Sequence, residues 1–132
     1  YDILDFKPSI VTDKAEYGYK MGKLMIKKLV ELGYYDDIEN IFKRYEYINI
    51  KLDKTGGLTE GLKIAKRAKE LEKGIMIGCM VGSSLSMLPA LMLYKYANYI
   101  DLDGPCFLKK DEDYGLIYNE GLIKLPKQVC WG

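Results

Sequence analysis

Between Tyr47 and Asp103 the chain switches twice from a strand pattern to a helix pattern and back, and this alternation most limits what it can fold into. Ile48-Asn49-Ile50-Lys51-Leu52-Asp53 alternates apolar and polar residues with period two, the mark of a strand with two unlike faces. Gly56-Gly57 ends it, and Thr59 is expected to cap a helix carrying Leu62, Ile64, Ala65, Ala68 and Leu71. A second strand is expected over Gly74 to Met80. Ser83 and Ser84 then open a helix, apolar nearly all round, from Leu85 to Ala97. Pro89 suits a first turn, so that helix starts as late as Ser86 or is kinked. A third strand, Tyr99 to Asp103, stops at Gly104-Pro105. Two consecutive strand-helix-strand units with connections of this length predict right-handed crossovers and a parallel sheet, an α/β fold.

The flanks read differently. Asp13 with Glu16 predicts a helix start, and Tyr17, Met21, Leu24, Met25, Leu29 and Leu32 follow at three- and four-residue spacing up to Gly33. A short helix is expected from Asp36 or Asp37 to about Tyr45, burying Ile38, Ile41, Phe42 and Tyr45. In the tail, Gly115 to Tyr118, a turn at Asn119-Glu120-Gly121, and Leu122 to Pro126 read as a β-hairpin. There is no internal repeat. The Gly-Gly pair matches neither glycine-rich phosphate-binding pattern.

Composition narrows the function. At 132 residues, with 48% hydrophobic and 30% charged content, the chain is a core-forming domain rather than a disordered or coiled-coil segment. A formal net charge of +1 supplies no field for collecting nucleic acid or an anionic membrane. The longest apolar stretch, Leu85 to Leu93, contains Ser86 and Pro89 and falls short of the ~20 residues of a membrane span. No signal peptide is recognisable, so a cytoplasmic protein is expected. The absence of histidine removes Ser-His, Cys-His and His-metal chemistry. Cys79, Cys106 and Cys130, an odd number without CxxC spacing, read as reduced, inert thiols.

The remaining chemistry collects near the strand ends. Asn49, Lys51 and Asp53 share one face of the first strand, and Asp101 and Asp103 share one face of the third. Strands of a parallel sheet are usually buried on both sides, so these polar groups are costly unless partnered or functional. Sites in α/β proteins gather at the strands' carboxyl ends, which selects Lys51, Asp101 and Asp103. A lysine suits base catalysis near neutral pH, and paired aspartates suit an ammonium group or a metal. The alternative is an internal ion pair of Lys51 with one of the aspartates, while Asp101 and Asp103 merely shape the turn into Gly104-Pro105.

Three motifs in this order, Ile48 to Glu60 (INIKLDKTGGLTE), Ile77-Gly78-Cys79-Met80 before Ser83-Ser84, and Asp101-Leu102-Asp103-Gly104-Pro105, resemble the C-terminal part of dipeptide epimerases. These are enolase-superfamily enzymes of the mandelate racemase and muconate lactonizing branch. The resemblance covers about residues 37 to 132, including the closing hairpin. It implies a partial (β/α)8 barrel, about the last three strand-helix units, over residues 36–132, with an added N-terminal helical segment of unclear origin over 1–35. It further implies that Lys51 is an acid/base lysine at the end of the sixth barrel strand. Asp101 and Asp103 would hold the α-ammonium of a dipeptide, and Cys79, Met80 and Val81 would line the pocket. The reaction implied is a racemisation or epimerisation of a dipeptide or N-acyl amino acid by 1,1-proton transfer, with Mg2+ stabilising the enediolate in the complete enzyme.

Several family features have no counterpart here. The opposite lysine of the second strand and the metal carboxylates of strands three, four and five are missing, including the Asp-Glu-Ser motif; Lys27, Lys28 and Glu31 stand at about its distance from Lys51. Gly82 replaces a glutamate that many dipeptide epimerases carry. A complete barrel takes ~250 residues, so the chain alone is expected to be inactive and to hold no metal. Tyr1 in place of a methionine agrees with an excerpt of a longer enzyme. A frameshifted or decayed gene would give the same pattern, as would an α/β module surviving through binding or self-association at its strand edges, as a homo-oligomer. Cycloisomerisation and o-succinylbenzoate synthesis share the same lysine and metal logic.

Overall fold

The computed structural model describes residues 37–128 and the backbone of residues 29–31. Its centre is a parallel sheet of four strands in the order β1 (Leu29–Glu31), β2 (Tyr47–Lys51), β3 (Gly74–Gly78), β4 (Tyr99–Ile100). Tyr47 to Lys51 pair in register with Gly74 to Gly78, and Met76 and Ile77 pair with Tyr99 and Ile100. The α/β parallel architecture read from the alternation is therefore present.

One face of the sheet is isoleucine. Ile48 and Ile50 of β2 and Ile75 and Ile77 of β3 are fully buried, joined by Ile100 and Leu102. They pack in one core with Phe42 of α1 (Ile38–Arg44), Ile64, Ala65 and Ala68 of α3 (Leu58–Glu70), and Met87 and Ala90 of α4 (Ser84–Leu91). Gly61 lets α3 lie close to the end of β2 and the turn after it: a Cβ there would stand 2.7 Å from Leu52 Cδ2 and 3.6 Å from Ile50 Cγ2. On the surface, Arg67 of α3 forks onto Glu39 of α1 at 2.7 and 3.1 Å and also reaches Glu70 at 2.9 Å. That exposed pairing aligns the two helices more than it stabilises them.

The local signals mostly hold. Asp37 caps α1, its side chain accepting from the Asn40 amide at 3.2 Å. Gly56 and Gly57 take φ of 90° and 91°, a conformation that only glycine enters without strain. Between β2 and the pair the backbone winds into one short helical turn, α2 (Leu52–Thr55), which the period-two pattern did not predict. Asp53 therefore leaves the strand face it was expected to share with Lys51 and is exposed on α2. Thr59 is not the cap of the next helix; Gly57 holds that position, and α3 starts at Leu58. Helix α4 begins at Ser84 and carries Pro89 inside it, then ends at Leu91 rather than Ala97, giving way to a 3-10 turn at Tyr94–Tyr96. The helix ends as its last turn tightens: the Met92 and Leu93 amides donate to the Pro89 and Ala90 carbonyls, both at 3.1 Å, three residues back instead of four.

The largest departure lies at the N-terminal side. Leu29 to Glu31, expected as the last turn of a helix stopping at Gly33, form β1 and pair in parallel with Tyr47 to Asn49. Leu-Val-Glu fits either period, and the open edge of β2 supplies backbone partners that a helix end would lack. The sheet thus takes residues from both sides of position 35. The rest of that expected helix, and Cys130, lie outside the described residues.

Strands β5 (Ile117–Asn119) and β6 (Leu122–Lys124) form the expected hairpin, with Glu120 and Gly121 both at positive φ, as a tight hairpin turn requires. The hairpin is tied back to the sheet. Leu116 and Ile123 enter the core, and the Tyr118 hydroxyl donates to the Leu102 carbonyl at 2.7 Å. Asp111 accepts from the Ser84 amide at 2.8 Å and from the Ser84 hydroxyl, whose oxygen accepts in turn from the Leu116 amide at 2.8 Å. Ser84 is completely buried. Burial works against the Asp111 carboxylate, yet the Ser84 hydroxyl, the Ser84 amide and the Glu112 amide outweigh it and hold its carboxyl below the ordinary range.

Two outcomes follow for stability. Ile77→Ala removes a fully buried side chain between two layers and is expected to cost about 2–5 kcal/mol in urea unfolding. Asp111→Asn is expected to cost about 1.5–3 kcal/mol at neutral pH by weakening charge-assisted hydrogen bonds. Because the folded carboxyl titrates below its unfolded value of about 3.9, its contribution is complete above that pH and is lost as the pH falls through the folded value. The variant's deficit should therefore shrink in acid, and a deficit constant from pH 7 to pH 2 would contradict this.

Candidate active site

The second face of the sheet differs from the isoleucine face. Tyr47, Asn49 and Lys51 alternate with the isoleucines of β2, and their register partners on β3 are Gly74, Met76 and Gly78. The Tyr47 ring lies where a side chain at Gly74 would stand, and its centroid is 6.0 Å from that of Tyr99. Large rings thus fill the lower part of this face, and the polar residues stand toward the carboxyl ends.

Lys51 is the last residue of β2 and lies opposite Gly78, the last residue of β3. The Asp101 amide donates to the Ile77 carbonyl at 2.8 Å, continuing the ladder one step past β4, so Asp101 follows at the same level. Three adjacent strands therefore bring Lys51, Gly78 and Asp101 into one row at their carboxyl ends. Lys51 is half-buried, and its carbonyl accepts from the Thr55 hydroxyl at 3.0 Å, which anchors the backbone where strand turns into α2.

Beyond Asp101 the chain turns through Gly104–Phe107, a 3-10 turn closed by the Cys106 amide donating to the Asp103 carbonyl at 2.9 Å. This turn packs against the loop after β3: a Cβ at Gly104 would stand 2.7 Å from the Met80 carbonyl oxygen and 3.2 Å from the Gly82 nitrogen. A side chain there would push the two loops apart. Glycine at 104 thus lets the Asp103 loop and the Cys79-Met80-Val81 loop meet.

Electrostatics connects the same residues. Burial pushes the Cys79 thiol up; the Gly104 amide, hydrogen-bonded to it, opposes this, the Asp103 and Asp101 carboxylates add to it, and the Lys51 ammonium opposes it. One thiol thus lies within the field of all three charged candidates. Asp103 stays solvent-accessible, but partial desolvation raises its carboxyl, and Asp101 beside it raises it further. Cys106 is raised by burial and then by Asp103 and Asp111. Both described thiols are free and are kept in the protonated form, in line with the inert reading of the cysteines.

Of the residues singled out from the sequence, the fold brings Lys51, Cys79, Asp101 and Asp103 together. Met80 and Val81 lie on the exposed loop beside them, 44% and 69% accessible. One feature escaped sequence reading: Asp111 lies in a run of charged residues from Lys109 to Asp113 that reads as a solvated surface, and nothing local marks it as the anchor of Ser84. Asn49, counted from the sequence among the costly polar groups of its strand but not selected as a site residue, is 7% accessible, and its Oδ1 is buried without a hydrogen-bond partner. Among the described residues, no three His, Cys, Asp or Glu side chains gather as a metal site, and no helix is long and apolar enough to cross a membrane.

Comparison with known proteins bears on the fold and the family. No family model matches the chain. An N-acetyl-D-glutamate racemase from Pseudoalteromonas sp. is 47% identical over 98 residues, which are 74% of this chain and 31% of the relative. A crystal structure of an enolase family member from Agrobacterium tumefaciens, with homology to dipeptide epimerases and bound to sodium and L-Ala-L-Glu, matches with a TM-score of 0.68 at 34% identity, over 85% of this chain and 42% of that one. The chain is a relative of the enolase-superfamily dipeptide epimerases. A Methylococcus capsulatus dipeptide epimerase, complexed with Mg and L-Arg-D-Lys, matches with a TM-score of 0.66 at 29% identity, over 77% of this chain and 32% of that one. The chain spans about a third of the length of the curated relative named above. Its parallel sheet corresponds to part of the barrel of these enzymes.

The electrostatic linkage is open to measurement. Alkylation of Cys79 by iodoacetamide, followed by peptide mass spectrometry, should reach half its maximal rate above the ordinary thiol value of about 8.5. Asp103→Asn should move that midpoint down by removing one opposing charge, and an unmoved midpoint would show that Asp103 does not act on this thiol.

Proposed function

We propose that this chain forms the C-terminal portion of a barrel enzyme that inverts the α-carbon of a dipeptide or N-acyl amino acid by 1,1-proton transfer. The observation that carries the reading is the row of Lys51, Gly78 and Asp101 at the carboxyl ends of three adjacent strands, with Cys79 and Asp103 next along the chain. In this reading the neutral Lys51 amine takes the α-proton from one face of the substrate and becomes an ammonium. The carbanion left behind receives a proton on the opposite face from the protonated form of a second acid/base group, which becomes neutral as Lys51 becomes charged. In the reverse direction the Lys51 ammonium returns its proton and is neutral again. Asp101 and Asp103 hold the substrate's ammonium group, and Cys79, Met80 and Val81 form the adjoining wall.

Magnesium accompanies the dipeptide in the Methylococcus relative, and the complete enzyme is expected to use it. Among the described residues no three His, Cys, Asp or Glu side chains gather as a metal site, and in this reading the metal ligands and the opposite base come from other strands of a complete barrel. The chain's own contribution is one base, an ammonium-binding pair and a pocket wall.

The test needs the complete open reading frame carrying these residues. Lys51→Ala is expected to lower α-proton exchange with deuterium by about 10²–10⁴-fold, the usual contribution of a positioned acid/base group; exchange at the unaltered rate would sink the proposal. Asp101→Asn with Asp103→Asn should raise KM for a dipeptide with a free ammonium and leave KM for an N-acetyl amino acid unchanged. Equal effects on both substrates would remove the ammonium-binding role.

A further inference from the structure

Asn49 is more than nine-tenths buried, and its Oδ1 accepts nothing. A buried acceptor left unmade costs the fold its full desolvation, so it calls for a partner the fold does not supply, a ligand donor or an ordered water. Its position favours the ligand. On β2 it shares a face with Lys51, and its carboxamide leans over Gly78, the residue opposite Lys51. A Cβ at Gly78 would come within 2.6 Å of Asn49 Oδ1 and 3.0 Å of Nδ2. The carboxamide therefore occupies the space a side chain at Gly78 would take, in the row between Lys51 and Asp101.

We infer that Asn49 is a substrate-binding residue whose Oδ1 accepts a hydrogen bond from the secondary amide N–H on the substrate's reacting α-carbon. The inference rests on the α-carbon inversion proposed above and adds what would recognise the substrate there. N-acyl amino acids and dipeptides differ at the far end, where only the dipeptide carries an ammonium. Both carry an amide N–H on the carbon that loses its proton. An acceptor beside Lys51 fits that shared donor, whereas the aspartates fit only the ammonium. Holding the N–H fixes the rotation of the α-carbon, so the departing hydrogen faces the Lys51 amine.

Two measurements test it, the first on this chain and the second on the complete enzyme that carries these residues. The first is thermal unfolding of Asn49→Leu, which replaces the carboxamide by an apolar group of similar size. The melting temperature is expected to hold or rise, because no hydrogen bond is lost and a buried polar group is removed. A fall of more than about 4 °C, equivalent to roughly 1 kcal/mol at this size, would show that Asn49 serves the fold and would overturn the inference. The second is ligand-observed NMR titration of the complete enzyme carrying these residues with N-acetylglutamate and with 2-acetoxyglutarate, the ester that replaces the N–H by oxygen. The amide is expected to bind about tenfold more tightly, the worth of one net hydrogen bond, and Asn49→Leu should abolish the difference. Equal binding of the two ligands would overturn the inference and leave the epimerase reading standing. Binding of neither would remove both the amide assignment and the epimerase reading for this chain, while the unfolding comparison still decides whether Asn49 serves the fold.

Discussion

The pairing of β2 with β3 over five residues in register is the interaction on which the rest of the structure depends. It sets Ile48 and Ile50 beside Ile75 and Ile77, all without solvent contact, and so makes one continuous apolar face for α1, α3 and α4. The period of a strand then dictates that Asn49 and Lys51 project from the other face. Ordinary parallel strands are apolar on both sides because helices cover both. A barrel differs in that its inner face converges on an axis, and polar residues near the carboxyl ends there meet ligand instead of a helix. The unlike faces of β2 are the signature of that arrangement in a single strand.

The ends of the strands are held by contacts that lie outside the sheet. Gly104 lets the loop bearing Asp103 meet the Met80–Gly82 segment, and the Tyr118 hydroxyl holds the Leu102 carbonyl between the two aspartates. Asp111 and the buried Ser84 fasten the tail to the start of α4, close behind the Cys79 loop. The hairpin is thus a brace that fixes the backbone on either side of Asp101 and Asp103. Such bracing matters for groups whose work depends on position, since a misplacement of about 1 Å can cost a hundredfold in rate.

The relatives are racemases and epimerases whose substrates, by their names, are acylated or peptide-linked amino acids. Their shared requirement is a base close to an α-carbon flanked by a carboxylate and an amide. In the proposed reading β2 supplies the base Lys51 and the buried acceptor Asn49, and the segment after β4 supplies the negative charge of Asp101 and Asp103 for a cation. That division matches a barrel site, in which adjacent strands each contribute one or two groups at their ends.

The alternation of Ile48 to Lys51, the Gly56-Gly57 stop and the Gly104-Pro105 stop determined by themselves that the chain builds a parallel α/β sheet with Lys51, Asp101 and Asp103 near its carboxyl ends. These are local features: a two-residue period, a conformation that only glycine enters, and a proline that cannot pair. The motif order in the same stretch carried the resemblance to the dipeptide epimerases. Tertiary structure alone decided the rest. It turned Leu29 to Glu31 into a strand, because the open edge of β2 offered partners that no local pattern records. It drew Asp53 off the strand into a helical turn and ended α4 soon after Pro89. It also packed Asp111 against Ser84 and left Asn49 Oδ1 without a partner beside Gly78. Each of these depends on which groups remain unpaired after the sheet has formed, a property of the packed molecule that no segment of the sequence carries by itself.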